Sequence, residues 1–167
     1  MQQRSLHFVL DPNFPYQVVH GLDWPPYLRL SALKDVAPHL IDVPDDWRIL
    51  LALAGLGAVD GYITNDPDLL DGVEELVALT RTPLALVMTD GVGHNPLRGS
   101  GLLMTYLSEI AKQVQNQTPR RAVIFRLSAA PLGNFRSTPG QRLDVLAARR
   151  SRSPQELISE TLRRIGM

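Results

Sequence analysis

Short apolar runs and amphipathic stretches alternate along the chain. The apolar runs are rich in strand-forming residues and end at turn-forming residues, which is typical of buried strands. They cover residues 6–10, 59–64, 84–88 and 122–127. Stretches with apolar residues at helical spacing cover residues 42–55, 67–80, 102–115 and 153–165. Because strand and helix alternate with short connections, the sequence predicts an α/β protein, a three-layer α/β/α fold with a mainly parallel central sheet.

Capping and turn residues predict where helices begin and where loops lie. Asp42 is the predicted cap of the first long helix, with Pro44 in its first turn. Residues 138–141 and 153–156 each match a capping box with proline at the first helical position. Glycines and a proline between residues 91 and 101 predict a loop. Prolines make residues 14–40 ambiguous, with one short helix predicted near residues 16–22, and a mobile loop is predicted near residues 128–138.

The composition fits one folded domain spanning residues 1–167. The chain is 44% hydrophobic, which supplies a sizeable core, and it contains no cysteine, which excludes disulfides and thiolate chemistry. The start of the chain lacks the apolar region of a signal peptide, and no apolar run approaches the roughly 20 residues of a membrane helix. A soluble, cytoplasmic protein without a membrane partner is therefore expected.

The charges balance overall but are unevenly distributed. Lys and Arg total 17, as do Asp and Glu, yet acidic residues dominate the first two-thirds and arginines dominate a basic extension from about residue 118. This asymmetry favours a cation-binding half beside a phosphate-binding half. The alternative to these two binding roles is that the charged residues lie on a solvated surface or pair with one another. The candidates for contacts with nucleic-acid phosphates are Arg120, Arg121, Arg149, Arg150 and Arg152.

Aspartates follow or face the ends of the predicted strands. Asp11 follows the first strand, Asp66 and Asp68 follow the second, and the pair at residues 45–46 begins the intervening helix. Because ligand sites form at the carboxyl ends of parallel strands, these side chains are expected to meet at one edge. Such carboxylates repel unless a cation is present, and Mg²⁺ and Mn²⁺ prefer oxygen ligands. Each aspartate also has a local explanation, as a turn former, a helix-dipole partner or a cap.

Three motifs together resemble the PIN-like nucleases, most closely the compact branch of VapC-type toxin ribonucleases. They are "FVLDPN", "PDDWRILLALAGLG" and "VDGYITNDPDLL", and they span roughly residues 6–90. The resemblance implies a metal-dependent endoribonuclease that hydrolyses phosphodiester bonds with Mg²⁺ or Mn²⁺. It implies RNA as substrate, and an antitoxin protein and a second copy of the chain as further partners. The implied catalytic and metal-binding residues are Asp11, Asp45, Asp66 and Asp68, supported by Asn13, Asn65 and Asp46, with Asp90 as the candidate for a late acidic residue.

Other functions remain open on the sequence alone. One is a catalytically inactive PIN-like binding or regulatory module with residual carboxylates. Another is an α/β hydrolase or phosphatase with Asp11 as nucleophile, although Asn13 stands where a phosphatase DxD motif needs aspartate. A third is a small-molecule site in the glycine-rich segment "TDGVGHNPLRGSG", whose spacing matches no phosphate motif.

Overall fold

A six-stranded sheet forms the centre of the molecule. The computed structural model describes residues 4–15, 21–91, 95–128 and 136–167. The strands are β1 (Leu6–Leu10), β2 (Leu28–Ala32), β3 (Gly61–Thr64), β4 (Ala85–Asp90), β5 (Val123–Ser128) and β6 (Arg136–Ser137). Their order is β2-β1-β3-β4-β5-β6, and all neighbouring pairs are parallel except β5 and β6. The predicted α/β fold with a mainly parallel sheet is thereby confirmed.

Helices cover both faces of this sheet. They are α1 (Leu33–Val36), α2 (Asp46–Gly55), α3 (Val73–Thr80), α4 (Pro96–Gln115), α5 (Pro139–Arg149) and α6 (Pro154–Ile165), with 3-10 helices at Pro38–Leu40 and Pro67–Leu70. The helix α4 buries its apolar stripe, Leu103, Leu107 and Ile110, on one face. The helices α2, α3, α5 and α6 contribute to the core on the other face. Three layers result, as the sequence predicts.

The central strands are buried on both faces, so their apolar residues are continuous rather than alternating. In β1, Val9 belongs to the core under α2 and α3, whereas Phe8 and Leu10 belong to the core under α4. Gly61 opens β3 where the backbones approach closely. A Cβ there would lie 2.5 Å from the Phe8 ring and 2.6 Å from the carbonyl oxygen of Ala85. Glycine is therefore required by packing at this position.

Several predicted boundaries are confirmed and others are wrong. Both predicted capping boxes form, at Thr138 and Ser153. Asp42 does not cap α2, which begins at Asp46 after the N-cap Asp45, so Pro44 precedes the helix. The predicted helix over residues 67–80 is two pieces, a 3-10 helix at Pro67–Leu70 and then α3, separated by the N-cap glycine at position 72.

The loop predicted between residues 91 and 101 is shorter than expected. Asn95 caps α4 by accepting hydrogen bonds from the N–H groups of Leu97 and Arg98, so the helix starts at Pro96. The strand β2 lies within the ambiguous region 14–40. The predicted helix near residues 16–22 and the loop near 128–138 fall largely on residues 16–20 and 129–135, outside the described residues.

The chain after about residue 118 contributes to the central structure. It supplies β5, which pairs with β4 along its whole length, and the helices α5 and α6. In α6, Leu157 is buried, and Ile158 and Leu162 pack against the same core as α2 and α3. None of the helices in the described ranges is long and apolar enough to span a membrane.

Candidate functional site

Asp11 is held rigidly at the end of β1. Its backbone N–H donates to the carbonyl oxygen of Ile63 at 2.8 Å, which extends the β1–β3 ladder by one residue. Its Oδ2 accepts a 2.7 Å hydrogen bond from the Tyr62 hydroxyl, and its Oδ1 accepts a 2.7 Å bond from the N–H of Asn13. The residue is only 6% exposed. These bonds fix the orientation of the carboxylate at the carboxyl edge of the sheet, the edge where β1, β3, β4 and β5 end.

The end of β3 is tied to Asp11 through one hydroxyl. Thr64 Oγ1 donates to Asp11 Oδ2 at 3.5 Å and accepts from the N–H of Asp66 at 3.0 Å. Burial raises the pKa of the Tyr62 hydroxyl, and the neighbouring carboxylates raise it further, so this hydroxyl remains a donor at physiological pH. The carboxylate of Asp66 caps the following 3-10 helix, with Oδ1 accepting from the N–H of Asp68 at 2.9 Å. Asp68 itself is exposed.

Asp46, in the first turn of α2, is affected by the charges of these carboxylates. Its pKa is raised to about 6, first by burial and then by the charges of Asp11, Asp66 and Asp45, in that order. Asp45, by contrast, forms an ion pair with Arg48 at 3.1 Å, and its side chain is 42% exposed. Asp11 and Asp66, which come from separate segments, are therefore close enough to Asp46 for their charges to act on it. That the predicted aspartates form one metal-binding group at this edge stays a prediction.

Glu75 is a further carboxylate at this edge that the sequence analysis did not identify. It lies in the first turn of α3, where a Cβ on Gly72 would come within 1.8 Å of its Oε2. Burial raises the pKa of Glu75, and Asp46, Asp45 and Asp66 raise it further, against the lowering effect of its own backbone N–H. Like Asp46, it begins a helix that follows a strand-to-helix crossover. Glu75 therefore has the same position in the topology as residues 45 and 46, and the sequence could have identified it in the same way.

Arginines border the carboxylates along the same edge. Arg126 of β5 forms an ion pair with Asp90 at the end of β4. Arg142 and Arg149 of α5 both approach Asp71, with N–O distances of 3.6 and 3.8 Å. Burial lowers the pKa of Arg142, and the nearby Arg126 lowers it further. Positive charge thus lies beside the acidic group. Asp90 is half-buried in an ion pair, and its predicted role as a late acidic ligand stays a prediction.

Two predicted phosphate-binding arginines lie elsewhere. Arg120 and Arg121 precede β5, so they lie at the amino edge of the sheet, where the parallel strands begin. Arg120 forms an ion pair with the buried Asp60. Arg120 and Arg121 therefore lie at the edge opposite to the aspartates, because residues before and after a strand lie at opposite edges. Their predicted contacts with nucleic-acid phosphates stay a prediction. Arg152 pairs with Glu160 at 2.7 Å.

The remaining predicted residues are placed as follows. Arg150 is exposed just after α5, Asn13 is exposed beside Asp11, and Asn65 is half-buried between β3 and Asp66. The supporting role predicted for the two asparagines stays a prediction.

The donor chemistry of the carboxyl edge suits a hard divalent cation. Carboxylate oxygens from Asp11, Asp46 and Asp66 are the ligands that Mg²⁺ and Mn²⁺ prefer. Within the described ranges, no three His, Asp or Glu side chains are gathered tightly enough to hold a metal ion by themselves. Mg²⁺ usually binds through one or two carboxylates and completes its shell with water and substrate phosphate. The residues therefore fit an ion that is held jointly with a substrate.

Comparison with known proteins identifies no relative. No protein-family model matches the chain, and no curated protein and no solved structure matches it. The resemblance to PIN-like nucleases accordingly stays a prediction from the three motifs.

Proposed function

We propose that the protein is a metal-dependent ribonuclease whose active site is the carboxyl edge of the sheet. The supporting observation is that Asp46, at the start of α2, lies at the same edge as Asp11 and Asp66, which follow β1 and β3, and that their charges raise its pKa. An uncompensated group of this kind is unfavourable, and its placement at the ligand-binding edge of an α/β sheet is typical of active sites. Asp46 fits the ligand role better than Asp45, because Asp45 already has Arg48 as its partner.

A bound Mg²⁺ or Mn²⁺ ion would supply a water of lowered pKa and neutralise charge on the scissile phosphate. The chain itself positions the carboxylates. Tyr62 and the N–H of Asn13 each donate to a different oxygen of Asp11, so this carboxylate cannot rotate freely. Thr64 fixes the backbone of Asp66 relative to Asp11. Such supporting hydrogen bonds orient ligands for a metal.

The flanking arginines would bind the RNA backbone. Arg126 lies within β5 opposite Met88 and pairs with Asp90, the last residue of β4. Arg142 of α5 lies near Asp71, which follows the 3-10 helix after β3. A guanidinium recognises phosphate oxygens through paired N–H donors and does not depend on base identity. Contacts of this kind would hold a single strand across the edge without selecting a sequence.

The decisive experiment measures cleavage of labelled single-stranded and hairpin RNA with Mn²⁺, Mg²⁺ or excess chelator. Asp66→Asn is the best variant, because an asparagine Oδ1 can still cap the 3-10 helix at the N–H of Asp68. We expect the cleavage rate to fall by at least about 100-fold in this variant, with no fall in melting temperature. Asp42→Asn is the matched control, since it removes the same charge from an exposed position before α2.

Full cleavage by Asp66→Asn, or by the wild type in chelator, would refute the proposal. Binding of RNA without cleavage under any metal condition would instead identify the inactive binding module, the alternative that the sequence leaves open. Cleavage and binding are measured with the same labelled RNA, so a single set of measurements separates the ribonuclease from the inactive binding module.

A further inference from the structure

A basic pocket lies at the amino edge of the sheet, on the opposite side from the carboxylates. It has a volume of about 600 Å³ and is bounded by the end of α3, the start of β5 and the start of α5. Its lining includes the arginines Arg81, Arg120, Arg121 and Arg136. The strand β5 has six residues, so this pocket lies about 20 Å from the carboxyl edge at roughly 3.3 Å per residue. It is therefore a separate site.

The positive charge of this pocket is only partly compensated. Asp60, whose side chain is 1% exposed, pairs with Arg120 and also with Arg4 at 3.0 Å. Arg81 and Arg121 are exposed and have no carboxylate partner among the described residues. The sequence has no Asp or Glu at positions 1–3, 16–20, 92–94 or 129–135, so those segments hold no acidic side chain that could neutralise the pocket.

Local explanations account for only some of these arginines. Arg81 follows the last turn of α3, where a positive charge is favourable to the helix dipole. Arg136 donates to Gln113 Oε1 at 3.5 Å. Neither explanation applies to Arg121. It directly follows the ion-paired Arg120 and adds a further guanidinium to the same pocket. Guanidinium groups gathered in this way repel one another unless an anion lies between them.

The lining indicates the chemical class of that anion. Arginine pairs its N–H donors with phosphate oxygens, and hydroxyl and amide groups from Thr82, Thr138 and Gln117 add polar atoms to the wall. No aromatic ring among the described residues lines the pocket, so these residues offer no surface on which bases of a nucleic-acid strand could stack. The volume is within the range of small-molecule sites. We propose that this pocket binds a small ligand carrying two or three linked phosphate groups.

The site does not depend on the proposed ribonuclease activity, so binding is measured directly by calorimetry with excess chelator. The probes are inorganic triphosphate, a nucleoside triphosphate and the corresponding nucleoside without phosphate. We expect both phosphate compounds to bind and the nucleoside not to bind. Equal affinity for the two phosphate compounds would identify the phosphate chain itself as the ligand, and tighter binding of the nucleotide would identify a nucleoside polyphosphate.

The variant Arg81→Gln/Arg121→Gln removes the two guanidinium groups that have no carboxylate partner in the described part of the chain. We expect its affinity for inorganic triphosphate to fall by about tenfold or more for each arginine removed. Arg98→Gln/Arg163→Gln is the matched control, because it removes two exposed arginines of α4 and α6 that lie outside the pocket. The two single variants replace the double variant if its melting temperature falls.

Three results would overturn the proposal. They are no binding of either phosphate compound, equal loss in the control variant, and tighter binding of an RNA strand without terminal phosphates that the double variant abolishes. The last result would make the pocket part of a nucleic-acid groove instead.

Discussion

Replacing Asp46 with asparagine should stabilise the protein at neutral pH. The pKa of Asp46 rises from 3.8 to about 6 because of burial and the charges of Asp11, Asp66 and Asp45. A change of about two pKa units corresponds to about 3 kcal/mol of unfolding free energy at high pH. Since Asp46 is only half-buried, solvent screening reduces this to about 1–2 kcal/mol. Asp46→Asn removes the charge, keeps the side-chain size and should recover that free energy.

The stabilisation by Asp46→Asn should depend on pH. A carboxyl group whose pKa is raised in the folded state destabilises the fold when ionised. This cost is absent below about pH 3.8, grows between pH 3.8 and about 6, and is complete above about pH 6. The difference in unfolding free energy between Asp46→Asn and wild type should therefore be largest at pH 7.5 and should disappear near pH 4. Urea denaturation at several pH values measures it, with Asp42→Asn as the exposed control.

Added Mn²⁺ should stabilise the wild-type protein more than Asp46→Asn. If Asp11, Asp46 and Asp66 hold a divalent cation, millimolar Mn²⁺ at pH 7.5 raises the melting temperature of the wild type, by about 2–4 °C per kcal/mol of binding linkage. The rise should be smaller in Asp46→Asn, which lacks one charge of the group. An Asp46→Asn protein no more stable than wild type at pH 7.5 would refute the electrostatic argument. Equal shifts with Mn²⁺ in both proteins would refute the role of Asp46 as a ligand.

Two further substitutions test the supporting structure. Tyr62→Phe removes the buried hydroxyl that donates to Asp11 Oδ2. Urea denaturation should therefore show a loss of about 1–3 kcal/mol in unfolding free energy. An unchanged denaturation midpoint would contradict a role of this hydrogen bond in stability. Asp60→Asn removes the charge of a buried carboxylate that Arg4 and Arg120 share. The unfolding free energy should therefore fall by about 2–4 kcal/mol. High salt should not restore the Asp60→Asn protein, whereas restoration would indicate a surface effect.

The central strands could be predicted because burial on both faces makes them continuous apolar runs. Residues 6–10 and 84–88 have this pattern, and both form strands of the sheet centre. The edge strand β2 could not be predicted in the same way, because its sequence includes the exposed Arg29 and follows two prolines. An edge strand needs fewer apolar residues, so its pattern resembles a loop.

The start of α4 was hidden by its glycines, of which Gly99 serves packing rather than a turn. Asn95 and Pro96 form the same cap-and-proline signature that marks α5 and α6, but Gly99 follows within the first turn. A Cβ at Gly99 would lie 3.3 Å from the Phe14 ring, so the glycine makes room for this ring. Gly101 has open space around it and also lies within α4, so glycines alone do not indicate a turn.

Topology explains which parts of the site could be predicted and which could not. A residue that follows a parallel strand and a residue that begins the next helix both lie at the carboxyl edge, so the sequence alone could bring Asp11 and Asp66 together. It could not separate Asp45 from Asp46, because that distinction depends on the side-chain direction set by the helix start and on the ion pair with Arg48. The arginines depend on topology in the same way. Arg120 precedes β5 and Arg126 lies within it, so residues close in sequence lie towards opposite edges of the sheet. The number of arginines along the chain does not contain this distinction, because it depends on where each strand begins and ends.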